Sequence, residues 1–118
     1  MNSLLYTLYD ALGLELIDVE GESPTLTVDD DMVVYFDENN QGLKMICPVG
    51  PLPDQVEQLQ TMLRWNYENH IILAASEAGH DMVLALCLVV RDSTEESLIE
   101  ALENLIESVH TLRIDFYR

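Results

Sequence analysis

Apolar and polar residues follow two different rhythms along this chain of 118 residues. In three segments the apolar residues recur at spacings of three and four, which predicts amphipathic helices. Between these segments lie short runs rich in β-branched and aromatic residues, separated by polar turns, and such runs are typical of strands. The pattern therefore predicts the element order α-β-β-β-α-β-β-α.

The predicted helices cover residues 4–12, residues 54–67 and residues 93 to near the C terminus. Each is flanked by residues that commonly mark a helix end. We expect all three helices to pack their apolar stripes against the strands. The end signals are Gly13 after the first helix, Asp54 with Glu57 at the start of the second, and Ser93 with Glu96 at the start of the last.

Strands are predicted over residues 25–28, 33–36, 43–47, 71–76 and 82–90. The third strand is expected to end at residue 47, because prolines and a glycine follow it closely. The segments between the elements are predicted as a linker containing Gly21 and Pro24, a polar turn formed by Asp29, Asp30 and Asp31, and a turn over residues 77–81.

Short turns between successive strands imply antiparallel pairing, and helices packed against such a sheet form an α+β domain. A chain of 118 residues has room for one domain of this kind. We therefore predict a single α+β domain over residues 1–118, with an antiparallel twisted sheet and three helices.

The fifth predicted strand is apolar on both faces, so both faces must be covered. One face can pack against the last helix, whereas the other needs the second helix or another protomer. We predict a dimer contact there, and the alternative is a strand that is internal to one monomer. The two faces carry Leu84, Leu86 and Leu88 on one side and Val83, Ala85, Cys87 and Val89 on the other.

The charge of the chain is strongly negative, with 22 Asp and Glu residues, 5 Lys and Arg residues and a formal net charge of −17. A chain this acidic with few apolar residues would be disordered, but 48% of these residues are hydrophobic, which is enough for a core. The charge argues against nucleic acid and anionic membranes as partners, since both are bound through Lys and Arg. We expect a folded domain whose charge keeps apolar surface soluble.

No stretch of the sequence approaches the 18 consecutive apolar residues typical of a transmembrane helix. The first six residues lack the basic region of a signal peptide, and Asp10 falls where its apolar region would lie. We therefore expect a cytoplasmic protein. Cys47 and Cys87 are too few for a disulfide framework and are predicted to be buried thiols.

The sequence contains no recognisable spacing for catalysis or metal binding. No histidine pair has the spacing of a helical metal site, and no nucleophile–base, phosphate-binding or C-x-x-C motif occurs. Residues 37–42 match the first positions of a calcium loop, but Pro48 stands where that loop requires a bidentate glutamate. We expect no enzyme activity, no metal and no cofactor.

A series of short motifs runs through nearly the whole chain, namely Ser3-Leu4-Leu5, Leu8 to Leu14, Asp29-Asp30 before Val33 to Phe36, Cys47-Pro48, Pro51 to Asp54, Leu63 to Tyr67 and Ser93 to Glu96. This ordered series resembles the class I type III secretion chaperones. Within that family it is most similar to the branch typified by SigE and IpgE, which serves phosphoinositide-phosphatase effectors.

The resemblance implies a cytoplasmic bacterial virulence protein that forms a homodimer. It also implies that an effector's N-terminal segment wraps around the dimer in extended form and is thereby kept soluble, stable and ready for export. In this view the second helix and the fifth strand form the dimer interface, while the first helix and the first three strands offer grooves for the effector. A small acidic regulatory protein that sequesters a transcription factor or a toxin is the alternative that the composition also fits.

These implications give two sets of candidate contact residues. Because side chains alternate along a strand, only half of each strand can face a groove, and some of the candidates will belong to the core. The candidate effector contacts are Leu4, Leu5, Leu8, Tyr35, Phe36 and Met45, and the candidate dimer contacts are Leu59, Met62, Leu63, Trp65, Leu84, Leu86 and Leu88.

Overall fold

The computed structural model describes residues 3–14, 25–28, 31–77 and 79–117 of the chain. The predicted element order and the α+β class are confirmed. The predicted linker at Gly21 and Pro24, together with Asp29 and Asp30 of the predicted turn, lies outside the described residues. The elements are α1 (Leu4–Ala11), β1 (Thr25–Val28), β2 (Met32–Asn39), β3 (Gly42–Pro51), α2 (Val56–Glu68), β4 (Ile72–Ala75), β5 (Met82–Val90) and α3 (Glu95–Tyr117).

The strands form one five-stranded sheet in the order β1-β2-β3-β5-β4. Every neighbouring pair is antiparallel, as predicted. The long antiparallel pairing of β3 with β5 runs through the middle of the sheet, and α2 connects β3 to β4 at one edge. Consequently β5 has β3 on one side along its whole length and β4 on the other side from Val83 to Leu86, where only its two faces are left to be covered.

A tight turn at Asn40 and Gln41 joins β2 to β3. The Asn39 side-chain oxygen accepts hydrogen bonds from the Gln41 and Gly42 backbone N–H groups, at 2.8 and 3.3 Å. Gly42 has a φ of +154°, and a Cβ on this residue would lie 2.0 Å from the Val89 carbonyl oxygen. Only glycine therefore fits where β3 begins its pairing with β5.

The structure corrects the predicted end of β3 at residue 47, because the strand continues through Pro48 to Pro51. Pairing with β2 ends at Ile46, so beyond that point β3 has a neighbour only on its β5 side. Proline lacks the N–H group that a strand with two neighbours would need, but it is tolerated on a side that is free. An irregularity in the register between Pro48 and Gly50 lets the strand continue to Pro51.

The end of α1 follows the prediction made from Gly13. This glycine has a φ of +72°, and its N–H group donates to the Asp10 carbonyl oxygen at 3.1 Å. The next N–H group, that of Leu14, donates to the Tyr9 carbonyl oxygen at 2.9 Å. These paired bonds and the left-handed glycine are the features of a Schellman motif.

The two capping pairs predicted for α2 and α3 are wrong. The N-cap of α2 is Gln55, which makes no side-chain capping bond, so Asp54 lies one residue too early to cap this helix. The first turn of α3 is capped by Thr94, whose hydroxyl oxygen accepts from the Ser97 N–H group at 3.1 Å. Ser93 is therefore not the capping residue, although it stands next to it and has the same chemistry.

The core lies between one face of the sheet and the three helices. The helix α3 packs against β3 and β5, α1 packs against β2, β3 and α3, and α2 packs against β4. No polar or charged residue is buried among the residues that the structure describes. The largest fully buried side chains are Leu8, Met32, Leu43, Met45, Leu98, Leu105 and Leu112.

The C-terminal part of α3 is held against β3 by two side chains. Arg113 donates from Nε to the Val49 carbonyl oxygen at 3.1 Å and from Nη2 to the Pro48 carbonyl oxygen at 3.2 Å. The Tyr117 hydroxyl donates to the Pro51 carbonyl oxygen at 2.7 Å. These bonds satisfy carbonyl groups of β3 in the stretch where it has lost its β2 neighbour, and they fix the irregular end of the strand.

Candidate functional site

One face of the sheet points away from the helices, and we call it the open face. Its central row crosses four strands, because Tyr35 pairs with Ile46, Ile46 with Leu86, and Leu86 with Ile72. Tyr35 is 43% exposed and Ile72 is 52% exposed. The described residues therefore leave an apolar row uncovered across the middle of the molecule.

The open face continues along β5 beyond this row. Leu84 and Leu86 are half-buried, while Leu88 is 51% exposed and Val90 is 54% exposed. The opposite face of the strand, with Val83, Ala85 and Val89, is buried against the helices. Thus α3 covers one face of β5, as the sequence predicted, and the described helices leave the other face to water or to a partner.

Little net charge lies on the open face, although the chain as a whole carries −17. Lys44 stands between Asp37 on β2 and Leu88 on β5 in the next row of the sheet. Opposite charges directly across a strand pair attract each other and offset each other's field. An apolar partner approaching this face therefore meets less repulsion than it would over the acidic remainder of the surface.

A second apolar surface lies on α2, at the edge of the sheet. Only Met62 of this helix is buried, while Val56, Leu63 and Tyr67 point into solvent at helical spacing. Between α2 and β4 runs an apolar groove of about 290 Å³. It is lined by Leu52, Leu59, Met62, Leu63, Asn66, Leu73, Ala74, Ala75 and Val83.

The α2 helix is fixed to β4 by one side chain. Asn66 donates from its amide nitrogen to the Leu73 carbonyl oxygen at 3.0 Å, and its oxygen accepts from the Leu73 N–H group at 2.6 Å. Both backbone groups of Leu73 on the outer side of β4 are thereby satisfied. The groove beside α2 consequently has a fixed width.

The α1 helix covers one end of the core and shows one large exposed side chain. Its Leu4, Leu5 and Leu8 are buried, whereas Tyr6 is 64% exposed. Tyr9 makes an edge-to-face contact with Phe36, with ring centroids 5.9 Å apart, and its burial raises the pKa of the phenol. These contacts make α1 an integral part of the core, with Tyr6 on its outer side.

A polar cleft of about 520 Å³ separates the C-terminal end of α2 from α3. Trp65 and Cys87 lie in its walls together with Glu100 and Glu107. The indole Nε1 of Trp65 is buried and finds no hydrogen-bond acceptor among the described residues. Burial raises the pKa of the Cys87 thiol, and it raises the pKa of the Cys47 thiol to about 11, so both thiols are poor nucleophiles.

The structure separates the predicted effector contacts into two groups. Tyr35 is exposed on the open face, in the same row as the predicted dimer contact Leu86 but separated from it by Ile46 of β3. The other five have buried side chains and form core between α1 and the sheet. Direct effector contact by these five stays a prediction. They are Leu4, Leu5, Leu8, Phe36 and Met45.

The predicted dimer contacts lie on or beside the two apolar surfaces, except for Trp65, which lies in the wall of the polar cleft. Met62 is buried within the chain, while Leu63 and Leu88 are exposed. Leu59, Trp65, Leu84 and Leu86 are half-buried. Their role in a dimer stays a prediction. The sequence reasoning missed Ile46, Ile72 and Val90, although the alternation of side chains along each strand could have assigned them to the open face.

Exposed apolar surfaces of this kind are commonly used to bind other proteins. No helix of the described residues is long and apolar enough to cross a membrane. Among the same residues, no group of His, Cys, Asp and Glu side chains is placed to hold a metal ion. What the described chain offers a partner is exposed apolar surface on the sheet and on α2.

The family of this protein follows from comparison with known proteins. The family model of the type III secretion chaperone domain matches residues 3–117. The chain is 41% identical over 113 residues to the chaperone protein SigE of Salmonella typhimurium, covering 96% of both chains. It is 28% identical over 118 residues to the chaperone protein IpgE of Shigella sonnei, covering 100% of this chain and 96% of that protein. The chain therefore belongs to the type III secretion chaperone family.

The fold agrees with this assignment. The Yersinia pestis type III secretion chaperone SycH, solved in complex with a stable fragment of YscM2, matches with a TM-score of 0.73 at 28% identity. The match covers 92% of this chain and 96% of SycH. The resemblance to the SigE and IpgE branch is confirmed. Since the family consists of effector-binding chaperones, this chain is a binding protein and not an enzyme.

Proposed function

We propose that this type III secretion chaperone binds the N-terminal segment of one cognate effector and keeps it soluble, stable and ready for export. The observation that carries the proposal is the apolar surface left uncovered at Tyr35 and Ile46, on the β2–β3 side of the open face, on a chain that is otherwise strongly acidic. A segment that binds as an extended strand or fills pockets with apolar side chains matches such surface. The net charge of −17 opposes non-specific self-association and favours a basic segment.

The effector in this proposal is a phosphoinositide phosphatase, and the chaperone acts in the bacterial cytoplasm as a single domain over residues 1–118. The similarity to SigE and IpgE supports this choice, since the resemblance to their branch implies such effectors. The test is to immobilise the chain and add N-terminal segments of secreted phosphatases from the same organism, with segments of unrelated secreted proteins as controls. Retention of one phosphatase segment alone is expected. Retention of a transcription factor or a toxin from the same cells, with no phosphatase segment, would instead support a regulatory role.

The dimer in this proposal is formed by the β5 side of the open face and the outer side of α2. Leu84, Leu86 and Leu88 supply the apolar area of β5, and Leu59 and Leu63 supply that of α2. The support is the exposure of these side chains. Among the described residues Leu63 and Leu88 are exposed. Leu59, Leu84 and Leu86 are half-buried. A homodimer would remove them from water and thereby explain how an acidic chain tolerates this much apolar surface.

A pair of matched variants tests the dimer surface. Leu88 is 51% exposed on the open face, and Ile114 is 55% exposed on α3. Both substitutions, Leu88→Asp and Ile114→Asp, add one charge at an exposed apolar position. We expect light scattering to give a dimer for the native chain and for Ile114→Asp, and a monomer for Leu88→Asp. If the native chain is a monomer at micromolar concentration, the proposed dimer is wrong.

A further inference from the structure

The carboxylate of Glu38 joins three segments of the chain that are far apart in sequence. Its Oε1 accepts hydrogen bonds from the Ser3 hydroxyl at 2.8 Å and from the Leu5 N–H group at 3.3 Å. Its Oε2 accepts from the Leu4 N–H group at 2.8 Å and from Nη1 of Arg91 at 2.5 Å. We call these four bonds the Glu38 latch.

The latch caps the N-terminus of α1. A helix begins with N–H groups that have no partner within the helix, and capping groups must accept them. Glu38 accepts those of Leu4 and Leu5, while Ser3 accepts that of Tyr6 through its side chain at 3.2 Å. The first turn of α1 contains no acidic residue, so the anion that favours this positive helix end comes from β2.

The position of α1 depends on contacts outside the helix. With eight residues, α1 is too short to be stable as a helix by itself. Its four buried side chains hold it to the sheet, but apolar burial has little directional preference. The hydrogen bonds of the latch are directional, and they fix where the helix begins relative to β2.

Arg91 also connects the latch to the turn between β2 and β3 and to the end of β5. The Arg91 guanidinium also donates to the Asn39 carbonyl oxygen, and its backbone N–H group donates to the Gln41 carbonyl oxygen at 3.1 Å. Arg91 directly follows Val90, the last residue of β5 on the open face. The latch thus connects the start of α1 with the strand that supplies the proposed dimer contacts.

We infer that Glu38 is a positioning residue that holds α1, with its exposed Tyr6, in a fixed place as one wall of a second effector contact, which lies on the helix side of the sheet and apart from the open face. The effector part of this inference rests on the proposed function, whereas the positioning of α1 does not. Without the carboxylate, α1 opens and closes independently of the sheet, and a partner binds only the fraction of molecules in which α1 is in place.

Amide hydrogen exchange on the full chain tests the positioning of α1. We compare the native protein with Glu38→Gln, which keeps the shape but loses the charge, and with Asp37→Asn, which removes the same charge from the neighbouring residue. In Glu38→Gln the amides of Leu8 and Tyr9 should exchange at least about tenfold faster, while those of β3 and β5 stay within about twofold of native. Native rates in α1, or equal acceleration throughout the sheet, would overturn the inference.

The pH dependence of the same exchange separates positioning from a general loss of stability. Burial of Glu38 favours its neutral form, but the bonds from Arg91, Ser3 and the two N–H groups outweigh this and hold the pKa of the carboxyl below its ordinary value. Arg91 is the charged side chain that contacts the carboxylate. The exchange rate of an unprotected amide itself depends on pH, so each α1 rate is compared with that of an unprotected amide at the same pH. As the pH falls through the pKa of Glu38, this relative rate should rise in the native protein, which means that α1 exchange accelerates more than the change of pH alone accounts for. In Glu38→Gln this added acceleration should be absent, and its persistence would contradict the assignment.

The link to partner binding is tested with the effector segment retained by the native chain. Glu38→Gln should bind that segment at least about tenfold more weakly, whereas Glu103→Gln, which removes an exposed charge from α3, should bind it as the native chain does. Equal binding by Glu38→Gln, with α1 opening seen by exchange, would refute the role of α1 as a wall of the site. If the native chain retains no segment, the proposed function fails, and the exchange experiment still decides whether Glu38 positions α1.

Discussion

The substitution Gly42→Ala tests the account of how β3 meets β5 at the end of the sheet that carries Leu88 and Val90. A Cβ added to Gly42 would lie 2.0 Å from the Val89 carbonyl oxygen, 2.9 Å from the Val89 carbonyl carbon and 3.0 Å from the Val90 Cα. All three are backbone atoms of the part of β5 that pairs with Gly42 and Leu43, so they cannot move without disturbing the β3–β5 pairing. The φ of +154° adds strain for any residue with a side chain.

The size of the effect follows from these contacts. Holding alanine in this backbone region costs about 1–3 kcal/mol. Relief of the 2.0 Å contact requires β3 and β5 to separate by about 1 Å, which weakens neighbouring ladder bonds worth about 1 kcal/mol each. With two such bonds lost, Gly42→Ala should lower the free energy of unfolding by about 3–5 kcal/mol. For a domain of this size the Tm should fall by about 4 °C for each kcal/mol.

The assay is thermal and urea unfolding followed by circular dichroism, with Gly13→Ala as the matched control. Gly13 also has a positive φ, +72°, but a Cβ there would meet nothing within 4 Å. In the control the free energy of unfolding should therefore fall only by the cost of placing alanine in a left-handed backbone conformation, about 1–2 kcal/mol. If Gly42→Ala is no more destabilising than Gly13→Ala, the close approach of β3 to β5 at this position is incorrect.

Three further predictions concern single side chains. Trp65→Phe should change the free energy of unfolding by less than about 1 kcal/mol, because the lost ring packing is offset by removal of the unpaired buried N–H group; urea unfolding showing a loss above about 2 kcal/mol would contradict this. Asn66→Ala should cost about 2 kcal/mol and speed exchange of the Leu73 amide, since it leaves two backbone groups of β4 without partners; an unchanged Leu73 exchange rate would show that the bonds are not formed in solution. Cys47 should resist alkylation at pH 8 in the native chain and react after denaturation, because burial raises its pKa to about 11; mass spectrometry showing rapid native modification would refute its burial.

The element order could be predicted because each element carries its own periodicity. The alternation of Leu84, Leu86 and Leu88 with Val83 and Ala85 predicted a strand apolar on both faces, and the structure shows one face under α3 and the other open. The glycine signal at the end of α1 was also sufficient, since a left-handed residue there is a local requirement. Signals of this kind depend on neighbouring residues alone and are therefore readable from sequence.

Features that depend on distant residues could not be predicted in the same way. The passage of β3 through Pro48 depends on β2 ending its pairing at Ile46, which no local pattern shows. The assignment of Tyr35 to the open face and Phe36 to the core depends on the sheet register, because a shift of one residue exchanges the two faces. The cap that Glu38 provides for α1 joins residues more than thirty positions apart, and nothing in either segment indicates the other.

The central claim is that this chain binds an effector's N-terminal segment as a chaperone dimer. The most direct measurement is the mass, by light scattering, of the complex purified after co-expression with the phosphatase segment that the immobilised chain retains. The account predicts a stable species containing two copies of the 13.4 kDa chain and one segment. A chain that elutes alone as a monomer, with the segment in a separate fraction, would contradict the account.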